Sequence, residues 1–118
     1  MSVSGVPVNG QQPIIPLPER TPAALRAAVA QLDPSALAKF ETDWTAATAR
    51  ARDEYSMLPA RYFVEHWWNW VAVERWPRLA ARLHACERTV AESPDHAERR
   101  AAAAEISDIL RQAATATA

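Results

Sequence analysis

Residues 58–77 read Leu58-Pro59-Ala60-Arg61-Tyr62-Phe63-Val64-Glu65-His66-Trp67-Trp68-Asn69-Trp70-Val71-Ala72-Val73-Glu74-Arg75-Trp76-Pro77, and the fold turns on how that stretch is read. At a helical period, Ala60, Phe63, Val64, Trp67, Trp70 and Val71 fall in one broad sector, which is the core face of a helix. Trp68 lies off that sector, beside Arg61, Glu65, Ala72 and Arg75, while Tyr62, His66 and Val73 form the opposite flank. A helix apolar over more than half its circumference is either central in a bundle or covered by a partner. An X-Pro step closes the stretch at each end. Proline suits the first helical position because its missing N–H has no intrahelical partner there.

The same punctuation recurs along the chain. Thr21-Pro22, Asp33-Pro34 and Ser93-Pro94 each pair a proline with a side chain that accepts from the next turn, and Leu58-Pro59 and Trp76-Pro77 rest on the proline alone. The spacing predicts helices over 22–31, 34–56, 59–75, 77–92 and 94–112. Their apolar stripes are Leu25, Val29 and Leu32; Leu37, Phe40, Trp44, Ala47 and Ala51, with Tyr55 closing the stripe; Leu79, Leu83, Cys86 and Val90; and Ala102, Ile106, Ile109 and Leu110. An internal proline either breaks or kinks a helix, so Trp76-Pro77 leaves open two helices or one bent one. Only residues 2–8 alternate in the manner of a strand, and they lack a partner. The expected fold is all-α: a small bundle of four to five short helices following a disordered Pro-rich N-terminal tail. Its parts are a flexible leader over 1–20, a helical domain over 21–113 and a frayed tail over 114–118.

Composition removes several classes of function. The two glycines, Gly5 and Gly10, both lie in the leader, so the phosphate-cradling loops that need glycine for close backbone approach are excluded, and no cofactor is implied. Thirteen basic side chains nearly balance 14 acidic ones, which argues against nucleic acid as a direct ligand. No stretch approaches the ~18 apolar residues needed to span a bilayer. The start of the chain lacks the basic-then-apolar order of a secretory signal. Cys86 is the single cysteine, so no disulfide framework and no multi-cysteine zinc site can form. Cytoplasmic residence is the expectation.

Catalytic arrangements are likewise missing. Cys86 sits on an apolar stripe, where a buried structural thiol is expected rather than a reactive one. None of the serines stands in a Gly-x-Ser-x-Gly elbow. His84 and Glu87 could share a helix face, but two ligands are too few for a metal site. Glu74, in the apolar sector, is expected to pair with Arg78. We therefore expect no enzyme and no metal.

Two readings of the Trp-rich helix stand side by side. In one it is the central helix, covered on both flanks. In the other, Trp68 with Arg61, Glu65 and Arg75, flanked by Tyr62 and His66, forms a binding hot spot for a protein partner or a second copy, since Trp and Arg are enriched at such sites. A small-ligand pocket lined by Trp67, Trp70 and Tyr62 is the alternative. The leader segment Pro13-Ile14-Ile15-Pro16-Leu17-Pro18 is more apolar than a flexible linker, and Ile14, Ile15 and Leu17 are its candidate docking residues.

Thr21-Pro22-Ala23-Ala24-Leu25-Arg26, Phe40-x-x-x-Trp44-x-x-Ala47 and Trp67-Trp68-x-x-Val71-Ala72 resemble a family of small uncharacterised actinobacterial proteins over roughly residues 18–80. These are packing motifs, and the resemblance transfers no activity to any residue. Some relatives are encoded beside ribonuclease-type toxins, which implies an antitoxin-like or accessory role. The chain departs from the family in its Trp-rich third helix, where relatives are more acidic, and in its leader and Ala-rich last helix.

Overall fold

A computed structural model describes residues 12–116. Among these residues the chain is all-α. The elements are α1 (Pro22–Leu32), a 3-10 turn (Pro34–Ala36), α2 (Leu37–Glu54), α3 (Leu58–Glu74), α4 (Pro77–Glu92) and α5 (His96–Thr115). The alternating residues 2–8 and the leader up to residue 11 lie outside the described residues, as do Thr117 and Ala118. None of the described helices is long and apolar enough to cross a membrane.

Side-chain acceptors open α1, the 3-10 turn and α5, whereas α2 and α4 start without a side-chain cap. Thr21 caps α1, its hydroxyl accepting from the Ala24 N–H at 3.2 Å, with Pro22 filling the first turn. Asp33 ends α1 and also opens the 3-10 turn, accepting from Ser35 N at 3.1 Å and from Ser35 Oγ at 2.6 Å. The helix predicted from Pro34 is therefore a 3-10 turn leading into α2. The last helix starts at His96 rather than Pro94. Asp95 is its cap, accepting from Ala97 N at 2.9 Å, and Ser93 instead accepts from Asp95 N at 3.1 Å. At Trp76 the backbone is extended (φ −111°, ψ 99°), so α3 and α4 are separate helices.

The chain divides into two compact units. The first, residues 17–71, holds α1, α2 and most of α3. Leu25 and Val29 of α1, Phe40 and Ala47 of α2, and Phe63, Trp67 and Val71 of α3 are buried in it. Its centre is an aromatic cluster: Phe40 lies 4.9 Å from Phe63 and 5.2 Å from Trp67, edge to face, with Trp44 4.9 Å from Phe63. Such pairs are worth about 0.5–1.5 kcal/mol beyond the area they bury.

In the second unit, α4 and α5 pack as an antiparallel-type helix pair joined by the Ser93–Asp95 turn. Leu79, Leu83 and Cys86 of α4 and Ala102, Ile109 and Ala113 of α5 are buried, whereas Val90, placed on the stripe by spacing, is exposed. The tail expected to fray from 114 instead extends the helix to Thr115, and Ala116 is buried.

Among the described residues, one non-glycine backbone position lies in the left-handed region. Tyr55, which ends α2, has φ 51° and ψ 44°, the left-handed region that glycine or asparagine enters at low cost. Its N–H and that of Ser56 return to the last turn, Ser56 N reaching Ala51 O at 3.1 Å. Tyr55→Gly is expected to raise the stability of the dilute chain by about 0.5–1 kcal/mol. Urea denaturation reads this, and a loss of stability would show that the tyrosine is not strained.

Candidate functional site

Sequence reasoning expected Trp68 and Arg75 on a binding surface, and the structure buries both. Trp68 is 6% exposed and Arg75 fully buried. The Trp68 indole N–H donates to the Pro18 carbonyl at 3.3 Å, and the Arg20 guanidinium lies 3.9 Å over the ring. A helical wheel misplaces Trp68 because it sees only α3, whereas the segment ahead of α1 covers this flank. Arg75 is held in the second unit. Its guanidinium donates to Ile15 O at 3.3 Å and to Ala116 O at 2.9 Å, and sits 4.9 Å from the Trp76 ring. Its own carbonyl accepts from Ile14 N at 2.8 Å. Burial pulls this guanidinium below the usual arginine range.

The leader's described part is thus bound rather than flexible, which corrects the expectation for residues 12–20. The contacts run through the main chain of Ile14 and Ile15. The Ile14 side chain is exposed, and Ile15 and Leu17 are half-buried. Arg75→Met removes the donor from two carbonyls and is expected to cost about 2–4 kcal/mol. An unchanged urea midpoint would show that these carbonyls are satisfied otherwise.

The remaining predicted residues, Arg61, Tyr62, Glu65 and His66, are exposed on the first half of α3. They line two grooves on its flanks. One, about 330 Å³, runs between α2 and α3, with Ala47, Phe63 and Trp67 beneath and Lys39, Arg50, Tyr62 and His66 at its edge. Asp43 is fixed there, accepting from Lys39 Nζ at 2.8 Å and from Trp67 Nε1 at 3.1 Å. Tyr62 and Trp67 thus share a groove, as the small-ligand reading supposed, but Trp70 does not line it. The other groove, about 410 Å³, has Pro22, Trp44, Met57, Ala60 and Val64 as its apolar lining and Arg20, Arg61 and Glu65 as its charged residues.

An exposed apolar ridge stands at the α2–α3 corner, and two of its residues also line the grooves, Tyr62 the first and Met57 the second. Tyr55 is 96% exposed, Met57 71%, Leu58 47% and Tyr62 62%. Sequence reasoning placed Tyr55 on the apolar stripe of the second helix, which its exposure corrects because the residue ends α2 and turns out of the helix, and it missed Met57 and Leu58. The available signal was three large apolar residues in a stretch linking two helices, where polar turn residues are the norm.

Elsewhere the groups that could carry chemistry are occupied or isolated. The Glu74 carboxylate lies 2.7 Å from His84 Nε2. No group of three or more His, Cys, Asp or Glu side chains could hold a metal ion among those residues. Burial, reinforced by Glu105, pushes the Cys86 thiol up. Its contribution to stability is therefore complete below the ordinary thiol range and is lost as pH rises beyond it, since the unfolded chain gives up the proton first. The native thiol is expected to react with a thiol reagent at pH 8 about tenfold or more slower than in urea. Equal rates would overturn its assignment as an inert core residue.

The model of the family described as "Family of unknown function (DUF6247)" matches residues 15–114. No curated protein matches the chain, and no solved structure does.

Proposed function

The chain belongs to that family of unknown function, and we propose, on its geometry, that it is a non-enzymatic protein-interaction module acting through the first half of α3 and the α2–α3 corner. The observation that carries the reading is the exposure of Tyr55, Met57, Leu58 and Tyr62 within eight residues, beside two open grooves. Scattered exposed apolar residues are ordinary, but a contiguous set rimmed by charge marks an interaction surface. Tyrosine and arginine, here Tyr55, Tyr62 and Arg61, are residue types that dominate binding energy at such surfaces. The site proposed from sequence thereby keeps Arg61, Tyr62, Glu65 and His66 and loses Trp68 and Arg75, whose groups are engaged inside the fold.

In its finer form the proposal is an antitoxin-like or regulatory subunit. Its support is the resemblance of the Thr21–Arg26, Phe40–Ala47 and Trp67–Ala72 motifs to small actinobacterial proteins. A second reading, small-ligand binding, is favoured by one observation: Tyr62 and Trp67 line an open groove of about 330 Å³ with a fixed carboxylate, Asp43.

Leu58→Glu places a charge in the middle of the ridge. It is expected to abolish the complexes or self-association of the full chain while shifting unfolding by no more than about 0.5 kcal/mol, as for an exposed site. Size-exclusion with light scattering and cross-linking read the first effect, and urea denaturation the second. A chain that stays monomeric and captures nothing, but whose tryptophan emission is saturably quenched by a small molecule, sinks the interaction reading in favour of the ligand one.

A further inference from the structure

We propose that the α2–α3 corner is the interface of a two-fold homodimer, so that the protein this surface binds is a second copy of the chain. The inference rests on the interaction reading above and names its partner.

Tyr55 supplies the first reason. It is the most exposed large hydrophobic side chain among the described residues, and it occupies a left-handed conformation that glycine adopts more cheaply. An aromatic kept in a strained backbone position, with almost its whole surface in solvent, suits an anchor that is buried only on association.

The surface also contains a receptor for such an anchor. Met57, two residues along the chain, borders the groove of about 410 Å³ whose lining includes Trp44, Ala60 and Val64. A two-fold axis through the corner sends Tyr55 of each copy toward the other's groove. This is the reciprocity that an isologous contact requires, since one patch must present both the projection and the recess.

Charge is the third reason, and it favours a second copy over a uniformly acidic or uniformly basic partner. Asp53 precedes the ridge and Arg61 follows it. Both are exposed, and neither enters an ion pair among the described residues. A strongly acidic partner would satisfy Arg61 and Arg20 but face Asp53 and Glu65, and a basic one would do the reverse. A second copy in two-fold arrangement sets Asp53 against Arg61 twice. The formal net charge of −1 adds little repulsion between copies. A stable interface takes about 800 Å² from each partner, roughly a tenth of the 7452 Å² surface of this chain.

Sedimentation equilibrium of the full chain over a wide concentration range tests the proposal. The expected mass rises from 13.0 kDa toward twice that value. Tyr55→Gly is expected to weaken the dimer about tenfold or more without unfolding the chain, because it relieves strain in the monomer. Arg61→Glu is expected to weaken it by a similar factor by setting like charges together, and adding Asp53→Arg restores it by reversing the pair. A mass of 13.0 kDa at every concentration overturns the homodimer. So does a dimer that survives both Tyr55→Gly and Arg61→Glu, which would place the contact elsewhere. If the chain is monomeric and Leu58→Glu nevertheless abolishes binding of a different protein, the second copy is wrong while the interaction reading stands.

Discussion

Arg75 carries a charge into a place with almost no water, and it keeps that charge by donating to carbonyls from opposite ends of the described chain, Ile15 and Ala116. Removing a guanidinium from water costs several kcal/mol, which hydrogen bonds to otherwise unsatisfied acceptors offset. In return, two terminal segments that could have frayed acquire fixed positions. Ile14 adds a main-chain bond to the Arg75 carbonyl, and Ala116 caps α5 by returning its N–H to Gln112. The same residue adjoins the break between α3 and α4, where Trp76 lies beneath the guanidinium and Pro77 starts the next helix. Within the second unit this one side chain ties Ile15 to Ala116.

Trp68 plays a parallel part in the first unit. Its ring is covered by Arg20 and its N–H is taken by Pro18, so the segment before α1 is tied to α3 much as residues 14 and 15 are tied to Arg75. Two residues that sequence reasoning assigned to an external partner are thus satisfied by the chain's own leader. What remains outside is the opposite end of α3. There the α2–α3 corner exposes Tyr55, Met57, Leu58 and Tyr62 instead of the polar residues a turn usually carries.

The distribution of polar partners separates the two ends of α3. At its C-terminal end, Trp68 and Arg75 have their hydrogen bonds made inside the fold. At its N-terminal end, Arg61 and Glu65 enter no ion pair among the described residues and stand beside an apolar groove. The proposed association is at this open end.

Local chemistry made much of the fold readable in the sequence. The prolines with their caps at Thr21 and Asp33 located α1 and the entry to α2, and the three-and-four spacing of Phe40, Ala47, Phe63, Trp67, Leu79, Leu83 and Ile109 identified the buried faces. These are properties of neighbouring residues on one helix, which a sequence records directly. The same kind of reasoning placed Arg61, Tyr62, Glu65 and His66 at the surface. Tertiary structure alone decided the fates of Trp68, Arg75 and residues 12–20. Each depends on a partner dozens of residues away, and a helix's own pattern cannot show which flank a distant strap of main chain will cover. The chain's Trp-rich helix was legible from the beginning. Which end of it faces solvent was settled by where Pro18, Ile15 and Ala116 offer their carbonyls.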